Sequence, residues 1–175
     1  HGQVSETRWY ASSWWQWPLI VRPVWLYTRQ ADLPVGWAAS IATLGNPAVW
    51  WAGVAALPVL GAVALVDLPR RRMDSAAAFI LLAFLGQYLP WVVAPRRLTF
   101  IYHFYTAVPF LILALVYLAA LWASSHPRAL VTAARAWLAV AAGLFILFYP
   151  LLAGLPVGPV WARLLGWFDT WIFYR

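Results

Sequence analysis

The stretch Pro95-Arg96-Arg97-Leu98-Thr99-Phe100-Ile101-Tyr102-His103-Phe104-Tyr105 gathers the side chains best suited to chemistry in an otherwise apolar chain. Arginine suits phosphate because its planar donors form bidentate hydrogen bonds. If a helix begins near Arg96, then Arg96 and His103 are seven residues apart and share a face. Ionisable groups at membrane depth are costly and usually functional. Two readings follow. In one, Arg96, Arg97 and His103 form a pocket for a lipid-linked phosphate. In the other, the arginines snorkel to headgroups while His103 bonds to a neighbouring helix.

Other polar residues carry less. Gln87 and Tyr88 precede Pro90-Trp91 and either hydrogen-bond between helices or line a sugar site. Asp67 and Asp74 flank Arg70, Arg71 and Arg72 as counter-ions, Asp32 and Asp169 stand alone, and Glu6 is the single glutamate. A general base needs a carboxylate or histidine aimed at its substrate. None of these acids comes with a partner that marks it as catalytic, so no catalytic residue is assigned. His1, His103 and His126 lack metal-ligand spacing, and the chain has no cysteine for disulfides or thiolate sites. No metal or cofactor is expected.

The elements that must position these residues are helices in lipid. Of 175 residues, 65% are hydrophobic and 10% charged, against about 25% charged in soluble domains. So short a chain cannot enclose that much apolar surface, and the remainder must face lipid. The net charge of +7 comes with arginine as the only basic side-chain type besides histidine. These arginines lie between or beside apolar runs, which favours lipid headgroups over nucleic acid as partners. The expected fold is an all-α integral membrane protein with about four transmembrane helices plus interfacial aromatic segments.

Residues 1–43 read as a Trp-rich interfacial segment, with Trp9, Trp14, Trp15, Trp17, Trp25 and Trp37 and with Pro18, Pro23 and Pro34 barring a long helix. A four-helix region over 44–153 follows, with spans near 47–66, 76–93, 100–122 and 133–152. Gly45-Asn46 before Pro47 supplies a helix start, Asp74 or Ser75 another, and Pro58 lies inside the first span. In the tail, 154–175, Trp161, Leu164, Leu165, Phe168 and Ile172 recur at helical spacing. That tail is either an amphipathic helix in the interface or one packed on the protein. No span shows the polar stripe of a channel or transporter.

Four spans put both ends on one side. The loops at 67–75 and 123–134 share the other side with Arg70, Arg71, Arg72, Arg128 and Arg135, which the positive-inside rule makes cytoplasmic. Arg8, Arg22, Arg29, Arg163 and Arg175 count the opposite way. The aromatic segment, the 94–99 loop and the tail are then extracytoplasmic. The first ten residues have neither a basic nor an apolar leader region and no initiator methionine, so the chain is expected to be a piece of a longer protein.

Blocks in order along the chain carry a family resemblance. They are Tyr10-Ala11-Ser12-Ser13-Trp14-Trp15-Gln16-Trp17-Pro18-Leu19 with Arg22-Pro23-Val24-Trp25, and Leu44-Gly45-Asn46-Pro47-Ala48-Val49-Trp50-Trp51. Tyr88-Leu89-Pro90-Trp91 comes next, then Arg97 to Tyr105 with Pro109-Phe110 beyond. Over residues 9–152 this order and spacing resembles the C-terminal four-helix region of protein O-mannosyltransferases, bacterial members especially. The resemblance implies part of a GT-C-type, inverting, metal-independent enzyme moving mannose from a polyprenyl phosphate carrier to Ser or Thr of secreted proteins. It carries Arg97, Tyr102 and His103 into an outer-face pocket near the lipid phosphate. Arg96 joins on physical grounds. Trp14, Trp15, Trp17, Arg22, Asn46, Gln87 and Tyr88 become candidate acceptor or sugar contacts.

The departures define what is missing. The family's Asp-Glu catalytic pair lies in its N-terminal half, and no Asp-Glu pair occurs here. The usual His-Pro start of the first block is also altered, with His1-Gly2 well before Tyr10. The chain alone is therefore expected to be inactive. Its implied partners are membrane lipids, polyprenyl-phosphate-linked mannose, an acceptor polypeptide and the N-terminal half of the same enzyme. The implied location is the bacterial cytoplasmic membrane, with both termini extracytoplasmic. The competing reading is a non-catalytic lipid-binding or scaffolding module, or half of a split enzyme. An upstream reading frame with further spans and an Asp-Glu loop favours the enzyme.

Overall fold

The computed structural model describes residues 10–67, 74–93 and 98–173, which divide into two compact units. One unit, residues 45–94 and 104–145, is helical. In lipid a backbone has no water to bond, so apolar runs of Ala, Leu and Val close their hydrogen bonds within helices. Its helices are α1 (Pro47–Asp67), α2 (Ser75–Val93), α3 (Val108–Ala123) and the first part of α4 (Pro127–Ala153). Helices α1, α2 and α4 are long and apolar enough to cross a membrane, and α3 is a shorter apolar helix.

Local chemistry sets where these helices begin. Asn46 Oδ1 accepts from the N–H groups of Ala48 (3.1 Å) and Val49 (3.5 Å), and Pro47 follows as the first helical residue. At α2, Asp74 Oδ1 accepts from Ala76 N–H at 3.0 Å. That bond, with one from the Tyr117 hydroxyl, holds the exposed Asp74 carboxyl below its ordinary pKa. Helices α1 and α3 approach closely at Gly53, where a Cβ would stand 2.6 Å from Leu111 Cβ. Ala56, Leu60, Ala77, Ile80 and Ala114 form the core beside this crossing. Helix α4 is tied to α1 by Asn46 Nδ2 donating to Ala141 O (2.8 Å) and Trp137 Nε1 donating to Ala48 O (3.3 Å).

The single helix expected over 100–122 is not formed. Leu98–Phe100 are not helical, Ile101–Thr106 form a 3-10 helix, and α3 starts at Val108. Pro109 sits in the first turn of α3, the position that proline tolerates. Inside a continuous helix its ring would clash with the carbonyl four residues back. Helix α4 also starts earlier than the expected 133, at Pro127.

The other unit holds residues 1–44, 95–103 and 146–175. A 3-10 turn at Trp14–Gln16 precedes an antiparallel hairpin of β1 (Val24–Arg29) and β2 (Ala39–Thr43). Val24 pairs with Thr43 and Arg29 with Ala39, with an irregularity between Trp25 and Tyr27. The hairpin is a small β element within an otherwise mostly helical fold. Ala38 also pairs with Val157, attaching the tail to the hairpin. Gly154 ends α4 with φ +68°, and a Cβ there would press on Ile41 at 3.0 Å.

The tail is not one amphipathic helix either. Helix α5 runs only over Pro159–Leu165. Beyond it Trp171 is buried, donating from Nε1 to Ile20 O at 2.7 Å, and its ring lies 6.0 Å from that of Phe148. Phe168, placed on the same stripe, is 48% exposed. Indole hydrogen bonding to fixed carbonyls wins over helical periodicity here.

Candidate functional site

Within the second unit, the aromatic segment and the stretch after the paired arginines are joined by backbone and side-chain bonds. Ser12 N–H donates to Thr99 O at 2.9 Å, and Thr99 Oγ1 donates to Ser12 O at 2.7 Å. Trp17 is fully buried, and its Nε1 donates to Ser12 O (3.2 Å) and Ser12 Oγ (3.1 Å). Its ring stacks on His103, with centroids 5.9 Å apart and planes at 25°. Arg22 Nη1 reaches Ala11 O at 3.4 Å on the same segment.

His103 is half-buried, with Nδ1 2.9 Å from Phe100 O and 3.2 Å from Phe100 N. Its own local backbone, rather than a neighbouring helix, takes that nitrogen. The Tyr102 ring lies 4.5 Å from the imidazole and stacks on Phe100 at 5.4 Å, while Tyr10 meets Phe100 at 5.8 Å. Tyr102 is 43% exposed, so a phenol donor stands at an accessible edge of an aromatic wall. Such a wall offers faces to sugar C–H groups and polar tips to hydroxyl or phosphate oxygens.

The structure sorts the remaining sequence candidates. Arg96 and Arg97 lie outside the described residues. The helix face expected to join Arg96 to His103 does not continue through Thr99 and Phe100, which are not helical. Trp15 is exposed and Trp14 half-buried, so both present surface. Trp17 does not: as an acceptor contact it is corrected to an enclosed post, because burial and two Ser12 bonds occupy it. Asn46 likewise uses both ends of its amide in capping α1 and tying α4. In the helical unit, Gln87 is exposed on α2 and Tyr88 is half-buried against Phe84 (5.4 Å) and Phe104 (5.4 Å).

Sequence reasoning missed Ser12 and Thr99. A hydroxyl residue in a loop carries no signal of a distant partner. Trp17 was singled out as a tryptophan, but its work inside the unit was not legible.

Comparison with known proteins gives a consistent picture. Residues 1–171 match the family model described as the C-terminal four TMM region of protein-O-mannosyltransferase. The polyprenol-phosphate-mannose–protein mannosyltransferase of Mycolicibacterium smegmatis is 27% identical over 168 residues, covering 90% of this chain and 31% of that protein. The enzyme of the same name from Mycobacterium tuberculosis is 26% identical, with the same coverage. That of Corynebacterium glutamicum is 27% identical over 185 residues, covering 98% of this chain and 34% of its own length. The chain thus spans about a third of the curated relatives it matches. Its fold resembles that of a chain in the S. cerevisiae protein O-mannosyltransferase Pmt1-Pmt2 complex bound to the sugar donor, with a TM-score of 0.78 at 23% identity. That match covers 99% of this chain and 24% of the yeast chain.

Proposed function

The chain belongs to the protein O-mannosyltransferase family as its C-terminal four-transmembrane region, and on that premise we propose that it forms the lipid-phosphate and acceptor side of a mannosyl-transfer site. The donor is polyprenyl-phosphate-mannose and the acceptor a Ser or Thr hydroxyl of a secreted polypeptide. The single observation that supports this most is the aromatic wall of Tyr102 and His103 beside the Ser12–Thr99 tie, in the stretch that follows Arg97 in sequence.

In this reading the roles divide by charge. Transfer breaks the bond between the anomeric carbon and a phosphate oxygen, leaving negative charge on the polyprenyl phosphate. Arg97, with Arg96 beside it, stabilises that charge, and His103 and Tyr102 orient the phosphate from the aromatic wall. The base that deprotonates the acceptor hydroxyl belongs to a part of the enzyme outside these 175 residues. Exposed Trp15 and half-buried Trp14 offer a surface for the acceptor chain, and Arg22, bonded to Ala11 O on the same segment, is a further candidate contact. The region sits in the bacterial cytoplasmic membrane with both ends extracytoplasmic.

Steady-state kinetics of the complete enzyme test this. Arg97→Ala is expected to lower the donor kcat/KM by about tenfold or more, the scale of a lost charge-assisted hydrogen bond, and to leave the acceptor KM unchanged. His103→Ala, which loses only orientation of the phosphate, should raise the donor KM by less. A donor kcat/KM indifferent to both changes overturns the assignment.

A further inference from the structure

Among the described residues Trp17 is the largest fully buried side chain, and it lies on the face of His103. Both ends of this contact are fixed independently. The indole N–H is held by the carbonyl and hydroxyl of Ser12, and Ser12 is itself tied to Thr99 in both directions. The imidazole is held at Nδ1 by the Phe100 backbone, one residue beyond Thr99. The result is a closed loop of contacts, Trp17–Ser12–Thr99–Phe100–His103–Trp17. A loop of this kind leaves the imidazole little freedom to swing, because tilting it breaks either the Nδ1 bond to the Phe100 backbone or the stack.

From this ring we infer that Trp17 is a positioning residue: it acts through His103, fixing the angle of the imidazole beside the donor phosphate. The inference rests on the phosphate reading of His103 given above and adds to it a residue that touches no substrate. It also reassigns the first aromatic block, making part of that segment a support for the donor side. Thr99 belongs to the same support.

A double-mutant cycle in the complete enzyme, with polyprenyl-phosphate-mannose as donor, separates positioning from plain stability. Trp17→Leu is expected to raise the donor KM about three- to tenfold, the range an aromatic stack supports, with the acceptor KM unchanged. In a His103→Ala background the same change is expected to add less than about twofold, since nothing remains to be positioned. Equal effects in the two backgrounds, or a rise confined to the acceptor KM, overturn the inference. Where Trp17→Leu does not fold, Thr99→Val runs the same cycle, with about a threefold rise expected in the wild-type background and none without His103. If His103→Ala alone leaves the donor KM untouched, the phosphate reading fails and this inference falls with it. A normal His103 effect with a silent Trp17→Leu and a silent Thr99→Val sinks the inference alone.

Discussion

At the scale of single residues, the most informative side chain is Asn46, which caps α1 with its oxygen and holds α4 with its nitrogen. These are separable roles. Asn46→Asp keeps the acceptor and removes the donor to Ala141, and is expected to lower stability by about 1 kcal/mol. Asn46→Ala loses both and should cost about 2 kcal/mol. Thermal unfolding of the detergent-solubilised protein checks both values. Near-equal losses for the two variants would mean that the Ala141 bond carries all of the stabilisation. The cap was legible in Gly45-Asn46-Pro47, because capping is local and needs only neighbouring residues. The bond to Ala141 was not, since nothing in sequence marks which distant carbonyl is left in reach. Trp17 repeats the lesson: the residue type was visible, while its partners Ser12 and His103 depend on how two remote segments meet.

At the scale of elements, Gly53 decides how closely α1 and α3 cross. A methyl group there would fall 2.6 Å from Leu111 Cβ and 3.1 Å from the Leu111 backbone. Gly53→Ala is therefore expected to part the helices and cost about 1–3 kcal/mol despite its better helix propensity. Adding Leu111→Gly, which removes the clashing Cβ, to the Gly53→Ala protein should cost less than Leu111→Gly costs alone, a coupling readable from the same unfolding measurements. Additive losses would show that the two positions do not meet. Hydropathy located α1 and α2 well, because length and apolarity are all that crossing demands. It ran residues 100–122 together because an apolar window does not register that Pro109 must open a helix. The hairpin was hidden for a different reason. Val24–Arg29 is rich in strand formers, but its many aromatic residues read equally well as interfacial anchors.

At the scale of the whole molecule, composition alone required a lipid-embedded protein, and the ordered blocks from Tyr10 to Phe110 pointed to the family. What composition could not supply is a complete catalytic set. The chain spans about a third of its curated relatives, and no Asp-Glu pair occurs among its residues. The role proposed for this region is to hold the carrier phosphate, with proton removal carried out elsewhere, a division that can be tested without turnover. The most direct measurement is a titration of polyprenyl phosphate against the purified chain in lipid nanodiscs, alongside its Arg97→Ala variant. Saturable binding by the wild type, weakened about tenfold or more in the variant, is the predicted result. Equal binding by the two proteins would contradict the account.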